Sequence, residues 1–518
     1  MYILFASIKS IGLNGLDGYI VNVESSILPG LESYQIVGLP DTAVREAKER
    51  VLSSVKTSGF NLPYGRIIIN LSPANTRKEG SIFDFPMAIS LLCAMGIINS
   101  NLTDDYAFLG ELSLDGTINS IPGILAMTIE AKKANIKKLI VPEANIQEAS
   151  IVKGIEIYSA KNIAEIIEHF TANKPLKTID IDTNNIFDEN SNYTVDFSEV
   201  KGHDSIKRAL EIAAAGSHNV LMLGNPGSGK TMLARRIPTI LPKLTFEESL
   251  EITKIYSISG LLPPNTQLIT NRPFRSPHHT VSSVSLIGGG RIPKPGEVSL
   301  SHYGILFLDE LPEFSKNVLE VLRQPLEDRQ VSISRVNASF TYPSNFMFVA
   351  SMNPCPCGYL GSPDTECRCT PTQIQKYIGK ISGPLLDRID IQLEVSNIKY
   401  RDLENTKPSE KSEAIRQRVN TAREIQLERY KNYSIFSNSE LKPFMMEKFC
   451  KLDDSSKSLL KNAFERLKLS ARAYDRILKL ARTIADLGGS NNIQTNHIAE
   501  AIQYRSLDKK IGNASFGL

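Results

Sequence analysis

The chain has 518 residues, 42% hydrophobic and 22% charged, with a net charge of only +3. That length exceeds one ordinary domain and points to about three cores. The near-neutral charge excludes binding to nucleic acid by bulk electrostatics, so any such site must be a local basic patch.

The opening residues, MYILFASIKS, carry neither a basic leader nor a small-residue cleavage site, so no signal peptide is expected. Residues 1–172 read as one α+β domain. Strand-like stretches, Arg66 to Leu71 and Lys138 to Pro142, alternate there with helical ones, Asp84 to Ile97 and Ile124 to Ala134. The longest nearly uncharged apolar run, Phe85 to Ile98, contains a proline and falls short of the roughly 18 residues that span a bilayer. It is expected to be a buried core helix, and no membrane association is expected. A polar stretch follows, and 173–197 reads as a linker. From 198 to 395 short apolar strands alternate with helices, the pattern of a mostly parallel α/β sheet. Its strands are Asn219 to Leu223, Ile305 to Leu308, Phe346 to Ser351 and Ile389 to Val395. The remainder, 396–518, turns helical.

The first of those strands runs into Gly224, Asn225, Pro226, Gly227, Ser228, Gly229, Lys230 and Thr231, which fit G-x-x-x-x-G-K-[ST] with a helix after them. Glycines at this spacing let successive backbone N–H groups turn toward a polyphosphate. Lys230 would neutralise the outer phosphates, and the Thr231 hydroxyl would hold Mg²⁺. The strand Gly304 to Leu308 ends in Asp309 and Glu310. Alone, such a pair is usually a solvated turn. Downstream of a phosphate loop it fits a magnesium-organising Asp309 and a Glu310 that takes a proton from the attacking water.

A ring ATPase also needs a polar group near that water and an arginine on the developing phosphate charge. Asn353 suits the first role and Arg388 the second, although Arg388 could instead be a structural partner of Asp387 or Asp390. Ser470 reads as the N-cap of a helix with an apolar stripe at 473, 477, 480, 484 and 487, which places Arg472 and Arg476 on one face. That face either serves a nucleotide or is simply solvated.

Six cysteines include Cys355, Cys357, Cys367 and Cys369 on one short loop. Four soft ligands with no position left over describe a closed, structural zinc site in a reducing compartment, the cytoplasm by default. Free thiols and disulfides remain the alternatives. Cys93 and Cys450 read as core cysteines.

Taken together these motifs resemble the magnesium-chelatase-like AAA+ ATPases over nearly the whole chain. Arg275-Ser-Pro-His-His279, the stretch Gly288 to Gly296, Met352 to Gly358 and Ser470-Ala-Arg472 look like the competence-protein family of that branch. The resemblance implies a P-loop core with a helical lid and an ATP-driven hexameric helicase that migrates DNA branches during natural transformation. It further implies Asn353 as sensor 1, Arg388 as an arginine finger acting on a neighbouring subunit and Arg472 as sensor 2. By the same analogy an insert near 275–300 and a hairpin near Val331 to Tyr342 face the pore. Arg275, Arg291, Lys294 and Arg335 are then the candidate contacts to single-stranded or branched DNA.

The first domain resembles the Lon-protease-like (ribosomal S5 domain 2-like) fold. Lys78-Glu-Gly-Ser-Ile-Phe-Asp84 stands where Lon proteases carry K-D-G-P-S-A-G, and Gly110 to Gly116 matches a later strand. The alignment puts Ile82 at the nucleophilic serine, with Ser81 one residue early, and Leu125 at the catalytic lysine. Without that amine a Ser-Lys dyad cannot work, so the domain is expected to be proteolytically inactive. Rival expectations are a magnesium-chelatase metal-insertion motor, an ATP-dependent protease and a protein-remodelling ATPase with no DNA role.

Overall fold

The computed structural model describes residues 5–172, 174–178, 193–263, 266–290, 293–335, 338–363, 365–397, 409–433, 435–467 and 469–505. The chain divides into two compact units, one formed by 1–189 with 249–269 and the other by 190–248 with 270–518.

The first unit is built on an eight-stranded mixed sheet. In spatial order its strands are Lys177–Thr178, Glu156–Ala160, Lys138–Pro142, Tyr106–Phe108, Phe5–Asn14, Asp17–Leu28, Arg66–Ser72 and Ser33–Val37. The first half of Phe5–Asn14 alternates exposed and buried positions, as a strand with one face on a core does. The helix Asp84–Ala94 is buried along its whole length, which explains why its sequence is apolar all round. Helix Ile124–Lys133 starts at Gly123, whose N–H donates to the Ser257 hydroxyl at 2.9 Å. The buried Glu148 carboxylate accepts from Leu125 N at 3.0 Å and from the Ser257 hydroxyl. Burial raises the Glu148 pKa despite those donors.

Ser257 lies on the helix Phe246–Ser259, and 249–269 counts with the first unit although its place in the sequence is inside the expected 198–395 core. A helix's sequence carries no mark of which surface it will cover. Here the bonds to Glu148 and Gly123, with Lys254 to Asp17 at 2.9 Å, decide it.

The second unit contains a five-stranded, all-parallel sheet in the order Phe274–Arg275, Ile305–Leu308, Met347–Met352, Val220–Gly224, Ile391–Val395. Its strands are nearly continuous hydrophobic runs, as expected where both faces are covered. Register puts Val220 beside Val349 and Ile391, and Gly224 beside Val395. One residue ahead of the central strand, Asn219 ties three strand origins together. Its amide donates to Arg388 O at 2.8 Å, its side-chain oxygen accepts from Phe348 N at 2.9 Å, and its backbone O accepts from Ile391 N at 3.0 Å.

C-terminal to the sheet come the helices Ser412–Arg429, Pro443–Phe449, Asp454–Leu467, Ala471–Leu487 and Thr495–Gln503. Ser470 caps the fourth, accepting from Ala473 N at 3.2 Å, and Ala473, Ile477, Leu480 and Ile484 are buried beneath it. A buried polar chain fastens this helix to the sheet. Asp390 accepts from Arg476 at 2.7 Å and pairs with His218, whose other ring nitrogen meets the Thr483 hydroxyl at 2.8 Å. Burial opposes the Asp390 charge, but Arg476 and His218 overcome it and hold the carboxyl well below the ordinary carboxylate range.

Candidate active site

The phosphate loop leaves the central strand at its C-terminal end, where parallel α/β sheets place their ligands. Gly224 fits against the neighbouring strand so closely that a Cβ there would collide with the Val395 carbonyl. Gly227 and Gly229 have φ of 77° and 87°, the left-handed region that glycine adopts at no steric cost. At Gly227 an added Cβ would meet nothing within 4 Å, so the cradle opens outward.

Lys230 lies in this cradle. Its ammonium donates to Gly224 O at 2.7 Å, Asn225 O at 2.9 Å and Asn353 Oδ1 at 3.2 Å. Burial lowers the Lys230 pKa, and the Asp309 and Glu310 carboxylates work against that shift. The Thr231 hydroxyl donates to Asp309 Oδ2 at 2.7 Å, and the Ser351 hydroxyl donates to Asp309 Oδ1. A hydroxyl and a carboxylate converging beside a phosphate cradle are the hard oxygen donors that Mg²⁺ takes, so these residues fit the ion. Glu310 is exposed and has φ of 53°, with its N–H donating to Asp309 Oδ1 at 3.1 Å. Thus Lys230, Thr231, Asp309, Glu310 and Asn353 lie in one place. Ser351, which orients Asp309, was not foreseen, because nothing in sequence marks one polar residue in a buried strand.

Arg388 stands at the other end of the sheet. It precedes strand Ile391–Val395 by three residues, whereas Lys230 follows Gly224, the partner of Val395. Four residue steps of parallel strand separate the two ends by roughly 13 Å before either side chain is counted. The expected alternative partners of Arg388 are taken by others: Asp387 pairs with Arg472 at 3.2 Å and Asp390 with Arg476 at 2.7 Å. Arg388 instead binds Glu327 and donates to Pro384 O at 2.7 Å. Its Nε is buried with no hydrogen-bond partner. Burial lowers the Arg388 pKa, and Arg472, Arg323 and Arg476 lower it further, so cations converge here. Arg388, Arg472, Arg476 and Lys479 line a cleft of about 630 Å³.

Four sulfurs meet on the loop after Asn353. Cys355 Sγ lies 3.4 Å from Cys357 Sγ and 3.6 Å from Cys367 Sγ, and Cys357 and Cys367 are 3.6 Å apart. With Cys369, all four lie within 4.8 Å of one another, and none is disulfide-bonded. A tetrahedron of thiolates about 2.3 Å from a zinc ion has edges of roughly 3.8 Å, so the donor set fits. The Cys357 amide donates to Cys369 Sγ at 3.4 Å. Burial works against the Cys357 thiolate, but the Tyr359 and Arg368 amides outweigh it and bring the thiol down to about 6. Cys93 and Cys450 are buried, and burial pushes each to about 12.

Of the four candidate DNA contacts, the side chains of Arg275 and Lys294 are described. Arg275 makes a bidentate pair with Glu297, at 2.7 and 2.8 Å, instead of presenting a free charge. Lys294 is exposed. Arg335 ends the first strand of the hairpin Gln330–Arg335/Ala338–Pro343, where only its backbone is described, and Arg291 lies outside the described residues.

In the first unit, Ile82 is buried, Leu125 is fully buried, and the Ser81 hydroxyl donates to Glu111. Lys78 is fully buried, donating to Pro73 O and, at 2.9 Å, to Thr76 O.

The chain matches the family model of magnesium chelatase, subunit ChlI, over residues 196–403. Two further models, for subunit ChlI of Mg-chelatase and for the ChlI C-terminal region, match 23–145 and 409–505. It is 40% identical to competence protein ComM of Haemophilus influenzae over 497 residues, 95% of this chain and 96% of that one. Identity to the protein YifB of Escherichia coli is 41% over 500 residues, 96% of each chain. A peroxisomal Lon protease homolog 2 of Oryza sativa matches more weakly, 26% over 187 residues, 32% of this chain and 21% of that one.

Proposed function

The chain belongs to the magnesium-chelatase-like AAA+ family that includes competence protein ComM and YifB, and we propose that it is an ATP-hydrolysing subunit of a hexameric DNA motor. In this reading the motor is a helicase that migrates branched recombination intermediates during natural transformation. ATPase activity follows from the family. DNA as substrate is supported by the likeness to a competence protein that is collinear with almost the whole chain.

The observation that carries the assembly is the separation of Lys230 from Arg388. A cationic group with a buried, unpartnered N–H at the wrong end of its own sheet suits the phosphate of an adjacent subunit. Arg472, beside Arg388, joins that face rather than its own phosphate loop. Rings of six place each finger against the next subunit's cradle.

Within one site the chain's own groups divide the work. Lys230 offsets charge on the outer phosphates, and Asn353 positions the attacking water. Glu310 accepts that water's proton as its oxygen bonds to the terminal phosphorus and the bond to the ADP oxygen breaks. Arg388 from the neighbour stabilises charge on the transferring phosphoryl group. Thr231 and Asp309 would hold Mg²⁺, whose charge would compensate that of the phosphates. The four-cysteine loop would hold a structural Zn²⁺, and free thiols suit the cytoplasm. No helix among the described residues is long and apolar enough to cross a membrane. The first unit, with Lon-like character and leucine at 125, serves as a non-proteolytic assembly or DNA-handling module.

ATPase rate with and without single-stranded and forked DNA, beside Lys230→Ala, tests this. Strong stimulation that the variant lacks is expected, and indifference to DNA would overturn the DNA motor. The matched chelatase models favour a second reading, a metal-insertion motor. Magnesium insertion into a porphyrin in the presence of chelatase partner subunits would select it.

A further inference from the structure

The cysteine loop touches the nucleotide cradle. Gly358, buried and with φ of 87°, lies so close to Pro226 that a Cβ on it would sit 2.6 Å from both ring Cδ and Cγ. Pro226 belongs to the phosphate loop and is otherwise exposed. The Gly358 N–H donates to Cys355 O at 3.0 Å, closing a turn over the first cysteine pair. The same segment begins at Asn353, which holds Lys230 at 3.2 Å. Beyond the last cysteine, Thr370 caps the helix Pro371–Ile378, accepting from Gln373 N at 3.3 Å, with Gln373 bonding back to Thr370 N. The loop is therefore anchored at both ends, one end being the sensor of the ATP site.

A phosphate loop binds through backbone N–H groups, and their aim is a property of backbone conformation. Pro226 offers no N–H of its own, so its ring is a surface on which the loop can be supported without costing a donor. Among the described residues from 357 to 370 there is neither helix nor strand. Between those anchors such a loop holds a fixed shape against Pro226 only if its interior is cross-linked, and a tetrahedral site on two cysteines from each half links it.

We propose that a zinc ion on Cys355, Cys357, Cys367 and Cys369 makes this loop a brace that sets the phosphate loop through the Gly358–Pro226 contact. The brace deepens the ATP-site reading and rests on it. Its consequence is that nucleotide affinity depends on metal content, although the sulfurs themselves touch no nucleotide.

The test uses the full-length protein, its zinc content measured by plasma mass spectrometry and its affinity for a fluorescent ATP analogue by titration. One zinc per chain is expected. Removing it with a thiol reagent and a chelator weakens binding at least tenfold, and adding zinc after the reagent is reversed restores it. Gly358→Ala keeps the zinc but weakens binding several-fold, because the new methyl must push Pro226. Gly361→Ala is the matched control, since Gly361 has φ of 76° and open space around its Cβ position. It carries the same backbone strain and is expected to bind nucleotide like the parent protein. Protein purified with no metal, or with iron in place of zinc, would overturn the zinc assignment. Zinc present with affinity indifferent to its removal, or equal behaviour of the two alanine variants, would overturn the brace alone. A parent protein that binds no nucleotide would instead overturn the ATP-site reading beneath it.

Discussion

Two buried lysines, one in each unit, show what separates a strut from a site. Lys78 and Lys230 both donate to backbone carbonyls, and burial lowers both pKa values. Lys78 is sealed completely, and its recorded acceptors are the carbonyls of its own turn. Lys230 shares its acceptors with a loop whose glycines open outward, and it has Asn353 at 3.2 Å and the Asp309 and Glu310 carboxylates nearby. A cation becomes a site when the surroundings leave a seat for an anion and place acid–base groups beside it. A lysine buried among carbonyls does not suffice.

The contrast is broken most severely at Lys230. Lys230→Ala should remove phosphate neutralisation and the cradle's fixed charge together, lowering ATP turnover by at least about 10³-fold with little change in melting temperature. Next comes the far end of the sheet. Arg388→Ala should lower turnover by about 10³-fold while leaving nucleotide affinity within a few-fold, because an arginine finger acts on the transition state. Equal losses of affinity and turnover would place Arg388 in its own subunit's cradle.

Lys78→Met should do the opposite of Lys230→Ala. It leaves the Pro73 and Thr76 carbonyls unsatisfied and should destabilise the first unit by about 2–3 kcal/mol, read as a lower denaturation midpoint, while folded protein keeps its ATPase.

A smaller effect follows at Lys479, in the arginine cleft. Burial, aided by Arg476, lowers its pKa to about 8. Between about 8 and its ordinary 10.5 the folded state has given up a proton that the unfolded chain keeps, so folding gains stability as pH rises through that window. The gain is at most about 3 kcal/mol. Comparing melting temperatures at pH 7.5 and 9.5 should show a rise attributable to Lys479, and Lys479→Met should lose that part of it. Smallest of all, Lys294→Ala should weaken DNA binding by about twofold and flatten its salt dependence slightly, as loss of one phosphate contact does.

The ATP site was legible because its chemistry is local: a strand, a glycine turn, and a lysine and threonine at fixed spacing. Asp309, Glu310 and Asn353 each follow an apolar strand, and parallel strands deliver their C-terminal ends to one edge of the sheet. The four cysteines were legible for the same reason. What was not legible depends on partners far apart in sequence. Glu327 is 61 residues from the Arg388 it binds, and Asn219 organises strand origins 129 and 169 residues away. Assignment of 249–269 to the first unit hangs on Glu148, more than a hundred residues from Ser257, and no periodicity encodes that choice. Arg275 shows the limit from the other side: its type suggested DNA, and nothing in the sequence pattern marks Glu297, 22 residues on, as its bidentate partner.

The central claim is that each ATP site is completed by the next subunit, and mixing two inactive variants tests it most directly. Lys230→Ala keeps its finger, and Arg388→Ala keeps its cradle. Each alone should be nearly inactive, and mixtures should regain ATPase activity with a maximum near equal proportions, where intact cradles meet intact fingers. Mixtures that stay as inactive as their components at every ratio would contradict the account.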